Sequence, residues 1–153
     1  MASSVLPYFI EGEVVKGFGR GSKDLGCPTA NYSQDVVKSL PSTLEPGVYY
    51  GWAQVNKGPI YKMVANLGWC PFYANKQMSV ETHVIHKFDN DFYGSHLKIV
   101  LVGYLRDEMN FDSLDTLIEQ IKQDIKNAEN KLDSPDYLLL KLCLSTHKRP
   151  QWS

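Results

Sequence analysis

The residues best suited to chemistry gather between Val14 and Asn31, in the stretch VVKGFGRGSKDLGCPTAN. Gly17, Gly19 and Gly21 let the backbone take positive φ and let a ligand approach the peptide groups, at an entropic cost that an ordinary loop avoids. Lys16, Arg20 and Lys23 are interleaved with them. Runs of backbone N–H in irregular conformations form anion-binding concavities, and cations beside such a run suit phosphate. The segment reads as a polyphosphate cradle. Neither standard cradle fits, however. A dinucleotide fingerprint requires glycine where Ser22 stands and a helix where Asp24-Leu25-Gly26-Cys27-Pro28 follows. A P-loop matches the spacing of Gly21 and Gly26, but Cys27-Pro28 replaces its Lys-Ser/Thr. Pro28 biases Cys27 toward an extended backbone, so Thr29-Ala30-Asn31 enters a strand with Thr29 and Asn31 on one face. A hydroxyl and a carboxamide oxygen side by side suit a hard cation when phosphates supply the negative charge. A glycine-rich hairpin running into a polar edge strand accounts for the same letters equally well.

A second candidate lies in Ser79–His86, SVETHVIH. Strand alternation puts Glu81, His83 and Ile85 on one side and Val80, Thr82, Val84 and His86 on the other. The two histidines diverge, which argues against a two-histidine metal site, whose ligands must converge. Position alone predicts that Glu81 faces solvent. A third stretch, Tyr104–Phe111, reads as an ordinary strand-to-helix connection with Phe111 packed under the helix.

The elements that must position these residues are mostly strands. Tyr8–Val15 delivers the chain into the glycine loop. Asn31–Pro46 is a loop with a helical turn at Asp35–Leu40. Gly47–Val55, rich in Tyr, Trp and Val, is a strand buried on both faces. A turn at Asn56–Pro59 leads to Ile60–Leu67, where Tyr61, Met63, Ala65 and Leu67 share a face. Gly68–Gln77 reads as a loop, and Met78–Phe88 and Leu97–Arg106 as two further strands. Five or six strands with short connections mean a mainly β, antiparallel barrel or sandwich. The C-terminal third differs: Leu114, Leu117, Ile118, Ile121, Ile125, Ala128 and Leu132 follow helical spacing, with Asp112 as the expected N-cap and Ser134-Pro135 as the stop. Tyr137–Leu144 is an apolar run compatible with helix or strand.

Composition narrows the function classes. The length of 153 residues suits one domain, with its core over about 6–145. A net charge of −1 gives no electrostatic reason to expect nucleic acid or membrane as a partner. Cys27, Cys70 and Cys143 are odd in number and lack metal-ligand spacing, which points to a reducing, cytoplasmic setting. No signal-peptide pattern or apolar membrane span is expected.

The order GxVxxGxGRGxxxLGxPTAN from Gly12 to Asn31 resembles the signature of riboflavin kinases, and VETHVIHKF, DFYG and GYLRDEMNFDSL resemble the rest of that family, from about Leu6 to Leu132. The resemblance implies a six-stranded antiparallel Greek-key β-barrel with a long C-terminal α-helix packed on it. It implies phosphoryl transfer from ATP to the ribityl 5′-hydroxyl of riboflavin, giving FMN and ADP with Mg²⁺ or Zn²⁺. It assigns Glu81 as general base, and Gly17, Lys23, Thr29, Asn31, Val84, His86 and Tyr93 to the nucleotide. Thr29 and Asn31 would also hold the metal, and Arg106, Met109 and Phe111 would contact the flavin. A monofunctional monomer acting only on small molecules is expected, without the fused adenylyltransferase of many bacterial relatives. The competing expectation is a barrel that binds a nucleotide or flavin without catalysis.

Overall fold

The computed structural model describes residues 6–15, 29–41, 43–69, 78–86, 94–107 and 113–145. Six strands are present: β1 (Tyr8–Val15), β2 (Thr29–Tyr32), β3 (Gly47–Val55), β4 (Ile60–Trp69), β5 (Met78–Val84) and β6 (His96–Arg106). A short helix α1 (Gln34–Lys38) follows β2, and α2 (Leu114–Leu132) and α3 (Pro135–Ser145) follow β6. The strands close into an antiparallel barrel in the order β1-β2-β5-β4-β3-β6. The meander β3-β4-β5 has β2 beside β5 and β6 beside β3, so each outer neighbour completes a Greek key.

Alternation along the strands divides the apolar residues into two cores. Val14, Ala30, Tyr32, Tyr49, Met63, Leu67, Val84, Leu97, Ile99 and Leu101 fill the barrel. Val48, Tyr50, Trp52, Val64, Val100 and Val102 point outward and pack with Ala128, Leu132 and Leu144 of the two long helices. β3 is therefore buried on both faces, as its composition predicts. On the α2 stripe, Ile118, Ile121, Ala128 and Leu132 are buried; each fully buried Leu or Ile contributes roughly 1.5–3 kcal/mol.

Several boundaries differ from the sequence expectation. The N-cap of α2 is Ser113, not Asp112, which lies outside the described residues: Ser113 Oγ accepts from the Thr116 N–H while Thr116 Oγ1 accepts from the Ser113 N–H, each at 3.3 Å. Serine caps as well as aspartate, and the reciprocal bond selects it. β4 runs on through Trp69, where its ladder with Met78 of β5 persists. β5 stops at Val84 instead of reaching Phe88, because the His86 N–H turns back to Val84 O at 2.8 Å. The ambiguous run Tyr137–Leu144 is helical, with Pro135 at the first helical position, where its missing N–H costs nothing.

Two glycines of the motifs have structural work. Gly94 adopts φ +85°, and its N–H donates to Val14 O at 2.8 Å, tying the end of β1 to the start of β6. A Cβ at Gly103 would come within 2.2 Å of the Tyr50 ring.

Candidate active site

The outward residues of β2, β5 and β4 form a polar row. Asn31 is the direct cross-strand partner of Glu81, and Thr29 that of His83. On the other side of β5, Glu81 faces Asn66 and His83 faces Val64. Directly opposed residues on neighbouring strands project to the same face, with Cβ atoms about 5 Å apart. The intervening residues Ala30, Val80, Val84 and Ala65 belong to the barrel core, so this row lies on the outside.

Glu81 does not face solvent, contrary to what its position suggests: it is 7% exposed, with Asn31 at 4% and His83 at 3%. Strands β2 and β4 flank it on both sides, so its carboxylate sits mid-sheet. His83 Nε2 lies 3.4 Å from Glu81 Oε1. Asn31 Nδ2, Asn66 Oδ1 and His83 Nδ1 are buried without a hydrogen-bond partner. Thr82 Oγ1 and Gln54 Oε1 share that condition elsewhere. An unmet buried polar group costs about 1–3 kcal/mol, and these three belong to residues that are strand neighbours of Glu81: Asn31 and Asn66 directly opposite it, and His83 two positions along β5. Among the described residues, no group of three or more His, Cys, Asp or Glu could cage a metal. A cation here would need oxygens from a ligand such as phosphate, which suits a carboxamide and a nearby carboxylate.

At the far end of β6, Arg106 forks onto Asp124 of α2, with Nε donating to Oδ1 at 2.9 Å and Nη2 to Oδ2 at 2.7 Å. Gln120 Nε2 adds a third donor to Asp124 at 3.0 Å, and Arg106 Nη1 donates to Asp107 O at 2.9 Å. Two of the five guanidinium N–H groups have no partner in these bonds. Beside it the Tyr104 hydroxyl donates to the Asp107 carboxylate. Burial first, and this bond second, push the Tyr104 phenol well above its usual range.

A riboflavin kinase (Flavokinase) family model matches residues 4–132. The chain belongs to the riboflavin kinase family. Riboflavin kinase of Mus musculus is 54% identical over 136 residues, covering 89% of this chain and 88% of the mouse protein. Riboflavin kinase of Homo sapiens is 53% identical, with 89% and 88% covered. The crystal structure of riboflavin kinase from Trypanosoma brucei aligns with TM-score 0.71 and 30% identity over 95% of this chain and 92% of that one. The family's expected six-stranded barrel with a helix packed on it is the architecture found, with a second long helix added.

Against this riboflavin kinase background, the residues that the resemblance implies are placed as follows. Asn31 and Glu81 are direct cross-strand partners, with Thr29 on the same strand as Asn31. Val84 is wholly buried and points into the barrel, which leaves only its backbone for any contact outside it. His86 is exposed and stacks on Tyr61, ring centroids 4.0 Å apart. Arg106 sits apart, on the helix-covered side. Gly17, Lys23, Tyr93, Met109 and Phe111 lie outside the described residues. Sequence reasoning missed Asn66 and Asp124. Asp124 carries a signal in hindsight: it falls three residues after Ile121 and four before Ala128, on the apolar stripe of α2.

Proposed function

We propose that the chain transfers the γ-phosphoryl group of ATP to the 5′-hydroxyl of riboflavin, and that the row containing Asn31 and Glu81 is where it does so. The observation that carries this reading is the direct pairing of a buried carboxylate with a buried carboxamide whose Nδ2 has no partner. Phosphoryl transfer passes through a loose transition state, so positioning and charge stabilisation supply most of the catalysis. Glu81 accepts a hydrogen bond from the 5′-hydroxyl and takes its proton as the new O–P bond forms and the bond to the β-phosphate oxygen breaks. ADP leaves with that electron pair, and the proton passes from Glu81 to solvent. Thr29 and Asn31 would hold a divalent cation, Mg²⁺ or Zn²⁺, which neutralises charge on the phosphates. Gly17 and Lys23 would line the phosphates, and the Val84 backbone, His86 and Tyr93 the adenosine.

Met109 and Phe111 offer the flavin ring an apolar surface, and the two remaining Arg106 N–H groups suit its carbonyl oxygens. The chain acts as a cytoplasmic monomer on small molecules. Its three cysteines without pairing pattern support the compartment, and among the described residues no helix is long and apolar enough to cross a membrane. Incubating the purified chain with riboflavin, ATP and Mg²⁺ and separating the flavins by chromatography tests the reading. FMN and ADP should appear in equal amounts. Binding of both substrates without FMN would establish the non-catalytic module instead.

A further inference from the structure

His83 projects from the same face of β5 as Glu81, two residues on, and is nearly sealed from water. Its cross-strand neighbours are Val64 and Thr29. Beside Val64 an apolar side chain would pack as well, without leaving a ring nitrogen buried and unpaired. A histidine that serves packing alone is therefore the costlier choice there. Its Nε2 lies 3.4 Å from Glu81 Oε1, and Nδ1 has no partner.

We propose that His83 is a positioning residue for Glu81, an inference that rests on the reading of Glu81 as the base. With the proton on Nε2, His83 donates toward Oε1 and turns the other carboxylate oxygen, Oε2, to the substrate hydroxyl. This tautomer leaves Nδ1 as a hydrogen-bond acceptor. No proton moves to His83: the hydroxyl proton goes to Glu81. A carboxylate on a flexible side chain swings through several orientations, and a misplacement of about 1 Å at a reacting group can cost on the order of 10²-fold in rate. Anchoring one oxygen removes that freedom.

Steady-state kinetics of the full chain with riboflavin and MgATP test this through three variants, His83→Leu, His83→Gln and Glu81→Gln. His83→Leu fills similar space without a donor, and should lower kcat by roughly 10- to 10²-fold while both KM values stay within about threefold. His83→Gln, whose amide N–H can reach Oε1, should recover most of the lost kcat. On a Glu81→Gln background His83→Leu should add no further loss. Wild-type kcat in His83→Leu, with Glu81→Gln impaired, overturns the role of His83 and leaves the base intact. Wild-type turnover in Glu81→Gln removes the base itself, and the inference with it. Should His83→Leu lack a cooperative melt, His83→Gln decides: near-native kcat supports the proposal, and a loss as large as that of Glu81→Gln overturns it.

Discussion

The two outer sides of the barrel bury polar atoms in opposite ways. Under α2 and α3 several polar groups are paired: Trp52 Nε1 donates to Tyr137 O at 2.9 Å, the Tyr50 and Tyr137 hydroxyls meet at 3.1 Å, and Arg106 forks onto Asp124. At the rim, Lys62 Nζ reaches Asp133 Oδ1 at 2.6 Å and Glu129 O at 3.1 Å. On the β2-β5-β4 side, Asn31 Nδ2, Asn66 Oδ1 and His83 Nδ1, on strand neighbours of the buried Glu81, have no partners of their own. On the helix-covered side the bonds tie strands to helices, with three of the Arg106 N–H groups used on the protein. The other side leaves hydrogen-bonding capacity that the protein itself does not use. The paired groups tie helices to strands, whereas these unpaired ones cluster on the row proposed for the reaction.

The sharpest way to break the comparison is to remove one of these ties. Asp124 is 2% exposed, and Asp124→Ala leaves the Arg106 charge without its partner. Breaking a buried ion pair costs about 3–5 kcal/mol, and the partial exposure of Arg106 favours the low end. Denaturant unfolding should show that loss; a midpoint near wild type would mean the fork contributes little. Glu81→Gln acts on the opposite wall: turnover should fall about 10²-fold or more, equivalent to roughly 2.7 kcal/mol of barrier, with the unfolding midpoint unmoved or raised.

Asn31→Leu combines both effects in one residue. Removing the orphaned amide should stabilise the fold by about 1 kcal/mol, while FMN formation and nucleotide affinity fall. Destabilisation of a folded, active variant would show that the amide is satisfied after all.

The smallest effect concerns alkali. Burial, then the bond with Tyr137, raises the Tyr50 phenol above its usual range; burial, then Glu45, raises Tyr49 to about 12. Unfolded tyrosines ionise near pH ~10, so these shifts contribute fully below that pH and their contribution is lost as pH rises through about 12. Unfolding midpoints should therefore drop from about pH 10 upward, and less steeply in Tyr49→Phe or Tyr50→Phe.

Patterns repeating within a few residues were legible from the sequence. The doubly buried β3, the shared face of Tyr61, Met63, Ala65 and Leu67, and the α2 stripe all follow from local periodicity. The divergence of His83 and His86 did as well. What escaped depends on partners remote in sequence. The burial of Glu81 requires β2 and β4 on either side of β5, and barrel closure sets that adjacency. Asp124 finds Arg106 across a strand-helix junction that no period encodes. Tyr137–Leu144 had too continuous an apolar run to choose between helix and strand until packing against β3 and β6 decided it.

Next to Asn31, the Tyr32 side chain turns inward, and its hydroxyl donates to Leu97 O at 2.9 Å with Ile10 O at 3.2 Å. A strand only four residues long is thereby bolted from within to two others. Any change that loosens the bolt, Tyr32→Phe for example, reaches the wall where Asn31 stands without touching a substrate. Lesions deep in the barrel can therefore masquerade as catalytic ones, and amide exchange along β2 would tell the two apart.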